Sequence, residues 1–331
     1  MNQGSNHFSL DPFSSDAIKL FTDEFKIPIT VRHAPYFEMR LAELDRKFGC
    51  KKSFSLFSEL AVQYKDIDEY HQSRYEWITL LRSLPCMREV SRKVNDITFY
   101  NLCEPKKDFI FTDEEFPFQD RELYQKSNES RQFMRVKFND AYFALLHYVS
   151  PDSFQDDENT YENFLKKVNC PAAWIASPKF REDLFAYLRR PLMMIRMALL
   201  MQINDLLGQK GEFELYCIEE DALIFTLPKK SFQIQKLKEL MDCGLGRLFE
   251  VKVFTLYKLN GFGVGGSDAW WEEQCFPFVD SRSADFVNVN PNLYHILMLY
   301  YDNEFIFKQD LVINADGMLA TLNKTPANPF T

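Results

Sequence analysis

Glycine is scarce in this chain, 11 residues in 331, so the backbone has few flexible joints. Cysteine patterning is missing as well. The seven cysteines, Cys50, Cys86, Cys103, Cys170, Cys217, Cys243 and Cys275, are odd in number, and no two stand at a C-x-x-C or zinc-ribbon spacing. That pattern argues against a disulfide framework and a structural zinc site, and fits reduced, mostly buried thiols in a reducing compartment. The five histidines form no H-E-x-x-H pair, which removes the commonest zinc-hydrolase arrangement. Met1 to Pro12 lacks the basic and apolar regions of a signal peptide. The most apolar run, Leu192 to Met201, is too short to span a bilayer and contains Arg196. A soluble, cytoplasmic protein with no membrane partner is therefore the expectation. Net positive charge is lacking too. A formal charge of −9 argues against a protein that coats nucleic acid non-specifically, because that task needs Lys and Arg to displace counterions. Pairs such as Lys106-Lys107, Lys166-Lys167, Arg189-Arg190 and Lys229-Lys230 leave a local basic channel open, although such pairs usually face solvent. No internal repeat and no low-complexity tract is present.

What the chain has in quantity is bulk. It carries 32 Phe and 15 Tyr, and 46% of its residues are hydrophobic, enough to fill a large core. After a polar arm over 1–15, a helix is expected near Asp16–Phe25 with Ser14 or Ser15 as its cap. A short strand is expected at Ile27–Val31. From Tyr36 to about Val94 the apolar residues recur at three- and four-residue steps, which predicts helices, the longest over Asp66–Leu84 and stopped by Pro85. Residues 101–131 are irregular, with Pro105, Pro117 and many charges, and mark a boundary. The reading is a mainly helical region over 1–130 followed by an α/β domain over 131–331, an α+β protein in all.

In the second region the elements alternate. Phe133–Phe138 reads as a strand with Met134, Val136 and Phe138 on one face and Arg135 and Lys137 on the other. Asn139 or Asp140 caps a helix at Ala141–Val149. Helices near Tyr161–Val168 and Lys179–Arg189 follow, then Leu192–Leu207, apolar on nearly every side and so buried against a sheet. Strands are expected at Phe213–Ile218, Ala222–Leu227 and Leu248–Asn260, and helices at Phe232–Met241 and Asn292–Tyr301, with one more hairpin around Gly317.

The most site-like feature is the acidic turn Glu219-Glu220-Asp221 between two apolar strands. Adjacent carboxylates repel, and the turn lacks the Gly or Asn that hairpins prefer. A divalent cation such as Mg²⁺ would relieve that repulsion, and so would plain exposure to water. Gly261-Phe-Gly-Val-Gly-Gly266 matches G-x-G-x-x-G and, with a helix at Ala269–Gln274, would cradle a phosphate. Its late position favours a hairpin tip instead. Trp270 and Trp271 beside it either stack bases of single-stranded nucleic acid or belong half to the core. Arg181, Arg189, Arg190 and Arg196 flank or enter the buried helix and either meet phosphates or neutralise a helix end.

Strand, helix, buried helix and acid-tipped hairpin, over roughly residues 132–260, resemble the palm of template-dependent polymerases, most nearly the family B DNA polymerases. Tyr216 with Glu219-Glu220-Asp221-Ala222 looks like a stretched form of that family's Tyr-x-Asp-Thr-Asp-Ser hairpin, and Val136–Phe143 resembles its first motif. The resemblance implies Mg²⁺-dependent nucleotidyl transfer, with Asp140, Glu219 and Asp221 as catalytic metal ligands and Lys179 and Arg181 holding a nucleotide. Arg196 and Trp270 would then meet the nucleic acid. The departures are specific: Lys137 stands where the family has an aspartate, Glu219 replaces another, and Ala222 replaces the serine. Two-metal chemistry needs carboxylates converging on ions about 4 Å apart, and a lysine there competes with the cation. The segment Asp310–Ala320 is similar to stretches of uncharacterised proteins of large viruses and phages, which would place the protein in host cytoplasm. Three readings stay open: a nucleotidyltransferase, a palm-like module that binds without catalysing, and a structural or interaction subunit of a larger assembly.

Overall fold

The computed structural model of the chain describes residues 9–96, 122–138, 141–155, 160–208, 213–219, 221–227, 249–259, 262–276 and 284–301. The chain is an α+β protein: helices pack on one face of a six-stranded antiparallel sheet. Helix α1 (Ser15–Phe25) starts where the Ser14 hydroxyl accepts the Ala17 N–H at 3.3 Å. Helices α2 (Ala34–Phe48) and α3 (Cys50–Ala61) are joined by Gly49 alone, whose φ of 59° is the left-handed conformation that glycine adopts without strain. Helix α4 (Ile67–Ser83) opens where the Asp66 carboxylate accepts the Glu69 N–H at 2.9 Å, and Glu69 reaches back to accept the Lys65 N–H at 2.6 Å. Pro85 both ends α4 and supplies the first residue of α5 (Pro85–Asp96), where its missing N–H costs nothing. Residues 27–31 bury Ile27, Ile29 and Val31 but form no strand, so the strand expected there is corrected to an extended connection.

Aromatic packing holds this helical layer. Phe21, Phe37, Phe54 and Phe57 interlock, with Phe21 edge-on to Phe54 at 5.1 Å and Phe37 edge-on to Phe54 at 5.0 Å. Each such buried ring contributes about 1.5–3 kcal/mol. Arg74 on α4 reaches across to Glu24 of α1 at 3.0 Å and to Asp183 at 2.9 Å, and Ser177 donates to the same Glu24 carboxylate at 2.7 Å.

The sheet has the order β2-β3-β1-β4-β5-β6, built from β1 (Gln132–Phe138), β2 (Glu214–Ile218), β3 (Ala222–Thr226), β4 (Phe249–Leu259), β5 (Ala269–Phe276) and β6 (Ala284–Val287). Between β1 and β2 run α6 (Ala141–Val149), α7 (Tyr161–Lys167), α8 (Ala172–Ala176), α9 (Pro178–Phe185) and the long α10 (Arg189–Gly208), and α11 (Tyr294–Tyr301) follows β6. Strands β1 and β2 are parallel with β3 between them, and β3 and β4 are parallel with β1 between them. These are two interlocked split β-x-β units, extended by β5 and β6. Ala269–Gln274 lies in a strand and not in the helix of the phosphate-cradle alternative. Pairing with β4 and β6 holds it there.

Alternation along the strands gives the sheet two different faces. Met134, Val136, Phe138, Leu223, Phe225, Val251 and Val253 point inward and join one continuous apolar cluster with the helices. Phe133, Tyr216, Cys217, Ile224, Phe254, Leu256 and Trp270 point outward and form a second, smaller cluster with Leu123. A strap, residues 122–131, lies over this outer face. Asn128 donates to the Tyr216 hydroxyl at 2.7 Å, and Ser130 N–H to the Leu256 carbonyl at 2.7 Å. Among the described residues no helix is long and apolar enough to cross a membrane. The helix expected at Phe232–Met241, the hairpin at Gly317 and the segment 310–320 lie outside the described residues.

Candidate functional site

The turn after β2 closes through the Glu219 N–H, which donates to the Ala222 carbonyl at 2.9 Å, and β1 joins it where Phe138 N–H donates to the Asp221 carbonyl at 3.1 Å. The acids therefore sit beside the end of β1, and β1 decides their chemistry. Strand alternation puts Arg135 and Lys137 on the outer face with the turn. Arg135 Nε and Nη2 each meet one oxygen of Glu219 at 3.0 Å, a bidentate fork. The other side of the guanidinium is taken by Glu272 of β5, through a very short Nη1 contact and an Nη2 contact of 2.7 Å. Tyr124 of the strap donates to Glu272 at 2.7 Å and accepts from Arg135 Nη2 at 3.2 Å. The guanidinium lies 4.7 Å from the Phe254 ring centroid, adding a cation–π contact.

This network is largely out of water: side-chain exposure is 11% for Arg135, 3% for Glu272 and 30% for Glu219. Burial disfavours the Arg135 charge, but the hydrogen bonds and charge of Glu272, with Glu219 behind them, outweigh it and raise the arginine further above its ordinary range. Burial, with the nearby Glu272 charge, raises the Tyr124 phenol. Burial and the charge of Glu219 push the Cys217 thiol up to about 12, leaving it inert. Asp221 faces Lys137 Nζ at 3.4 Å.

The residues expected to act together separate as follows. Glu219 and Asp221 are neighbours, each with a cation of β1 against it, and Asp140 lies outside the described residues. Among the described residues no group of three or more His, Cys, Asp or Glu is placed to hold a metal ion. Mg²⁺ needs carboxylate oxygens free to face it. Both oxygens of Glu219 accept from Arg135, so this carboxylate faces a guanidinium. Lys179 and Arg181 belong to α9, which packs against α1, α4 and α8 in the helical layer. Arg181 stacks on the Tyr161 ring at 4.3 Å there, so both cations stand across the sheet from the acid network. Arg196 is buried in α10 beside Tyr142 and Leu145 of α6. Trp270 is 1% exposed in the outer cluster near Tyr124, so it offers no ring face to a base. The glycine loop is the tip between β4 and β5, with Ser267 N–H donating to the Val264 carbonyl at 2.9 Å. No helix begins at Ala269, so the helix N-terminus of the phosphate-cradle alternative is absent.

Sequence reasoning missed Arg135 as the centre of the site, and Glu272 and Tyr124 as its partners. The available signal was an arginine on the same strand face as Phe133, a charge beside an apolar residue that demands a counter-ion. Nothing local named Glu272, 137 residues away. No protein-family model, no curated protein and no solved structure matches this chain.

Proposed function

We propose that the chain is a palm-like module without nucleotidyl-transfer chemistry at its acid turn, serving as an interaction component of a larger protein assembly. The observation that carries this reading is the occupation of Glu219 by the Arg135 fork, with Glu272 closing the other side. A guanidinium here supplies the positive charge that a metal supplies in a working palm, and it does so permanently. The strand arrangement supports the palm-like part, because the acid hairpin lies directly beside β1. That arrangement serves many unrelated functions, so the site and not the fold weighs against catalysis. Tyr187, Met193 and Met194, large apolar side chains left exposed around the start of α10, support protein contact, since Tyr and Met are enriched at interfaces.

Primer extension with Mg²⁺ or Mn²⁺ tests the reading. The expected result is no extension above background, together with Mn²⁺ binding, followed by electron paramagnetic resonance, that is the same in wild type and Glu219→Gln. Template-dependent extension that disappears in Asp221→Ala would overturn it.

A further inference from the structure

Helix α11 is the joint between the N-terminal helices and the far edge of the sheet. Tyr294 packs on Phe48 of α2 at 5.5 Å and on Phe286 of β6 at 5.8 Å, and Tyr301 packs on Phe286 at 5.9 Å. Just before the helix, Thr30 donates to Asn292 at 2.8 Å, and Lys47 of α2 pairs with Asp285 of β6 at 3.3 Å. His295 lies inside this joint. It is 5% exposed, and its Nε2 is buried without a hydrogen-bond partner. Buried polar atoms are nearly always partnered, so this nitrogen requires an explanation. Among the described residues the charged groups around the joint come from α2, β6 and β4, the last through Lys252, whose Nζ lies 3.8 Å from Asp285. From α2 come Arg40, itself buried, with Glu43 on its Nη1 at 2.6 Å, and Lys47 with its Asp285 partner from β6. The turn Pro291–Leu293 brings none. A neutral imidazole is tolerated in this place. An imidazolium would be a second buried cation near Arg40, with no acceptor at Nε2.

We propose that His295 is an acid-release latch for α11: mild acid protonates the undocked helix, holds it off α2 and the sheet edge, and opens this joint while the rest of the fold stands. Burial, with the Arg40 charge adding to it, depresses the docked imidazole from its ordinary 6.5 to about 3. The undocked state therefore binds more protons throughout that window. Docking is strongest above pH 6.5 and weakens by up to about tenfold for each unit the pH falls towards 3. From pH 7 to pH 5 the docking equilibrium should weaken about 25-fold.

Hydrogen exchange of the full chain at pH 7 and pH 5, corrected for intrinsic rates, reads this directly. Amides of Tyr294–Tyr301 should lose about 25-fold in protection while those of α3 lose severalfold less, and His295→Leu should abolish the difference. Equal losses in both helices, or the same loss in His295→Leu, would overturn the proposal. Histidine-selective NMR on the wild type tests it without a variant. At least one of the five imidazoles should stay neutral below pH 5 while the helix is docked, and five imidazoles all titrating near pH 6.5 would refute it.

Discussion

Replacing Arg135 by methionine isolates the buried network, because methionine keeps an unbranched apolar stem and removes the guanidinium with its charge and donors. Glu272, 3% exposed, would be left with Tyr124 as its one remaining donor among the contacts that hold it. Removing one member of a buried ion pair costs about 3–5 kcal/mol, chiefly because the other charge is stranded out of water. Glu219 adds little to this cost: at 30% exposure it can turn to solvent, and Glu219→Gln alone should cost about 1 kcal/mol or less. The double variant Arg135→Met/Glu272→Met should recover to within about 1 kcal/mol of wild type, because an apolar pair replaces an ion pair at little net cost. Urea unfolding followed by far-ultraviolet circular dichroism measures all three, with an unchanged m-value confirming that stability alone has moved. A loss below about 1 kcal/mol for Arg135→Met, or a double variant no better than the single one, would refute the account of a desolvated, mutually dependent pair.

Three further outcomes follow from the geometry. A Cβ on Gly263 would stand 1.8 Å from the Ser267 carbonyl oxygen, a backbone atom that cannot swing aside, so Gly263→Ala should lose about 2–3 kcal/mol in the same urea assay. Gly265→Ala, in open space at a φ of 60°, should lose about 1 kcal/mol. Cys50, Cys170 and Cys217 are buried, and burial pushes each thiol up to about 12. In the native protein at pH 8 iodoacetamide should therefore leave all three unmodified by mass spectrometry, and fast labelling of Cys217 without unfolding would contradict its placement.

Much of the fold is legible along the chain. β1 announces itself by alternation, Met134, Val136 and Phe138 against Arg135 and Lys137, and the helices from Tyr36 to Val94 by three- and four-residue steps. The acid turn is also placed correctly between two strands, because Phe213–Ile218 and Ala222–Leu227 are short apolar runs with charges between them. Local patterning fails at Ile27–Val31, where alternating burial occurs without a strand partner among the described residues, whereas the hairpin-tip reading of the glycine loop agrees with Ala269–Gln274 pairing with β4 and β6.

By itself, then, the sequence determines the α+β class, most element positions and the presence of three adjacent acids, since each depends on periodicity or composition within a few residues. Only the tertiary structure decides what those acids do. Arg135 lies 84 residues from Glu219 and 137 from Glu272, and a charge shows its partner only once the sheet brings the strands side by side. Trp270 is likewise an ordinary tryptophan in sequence. It is buried because the strap at 122–131 folds over the outer face, a long-range contact that leaves no local mark on the chain.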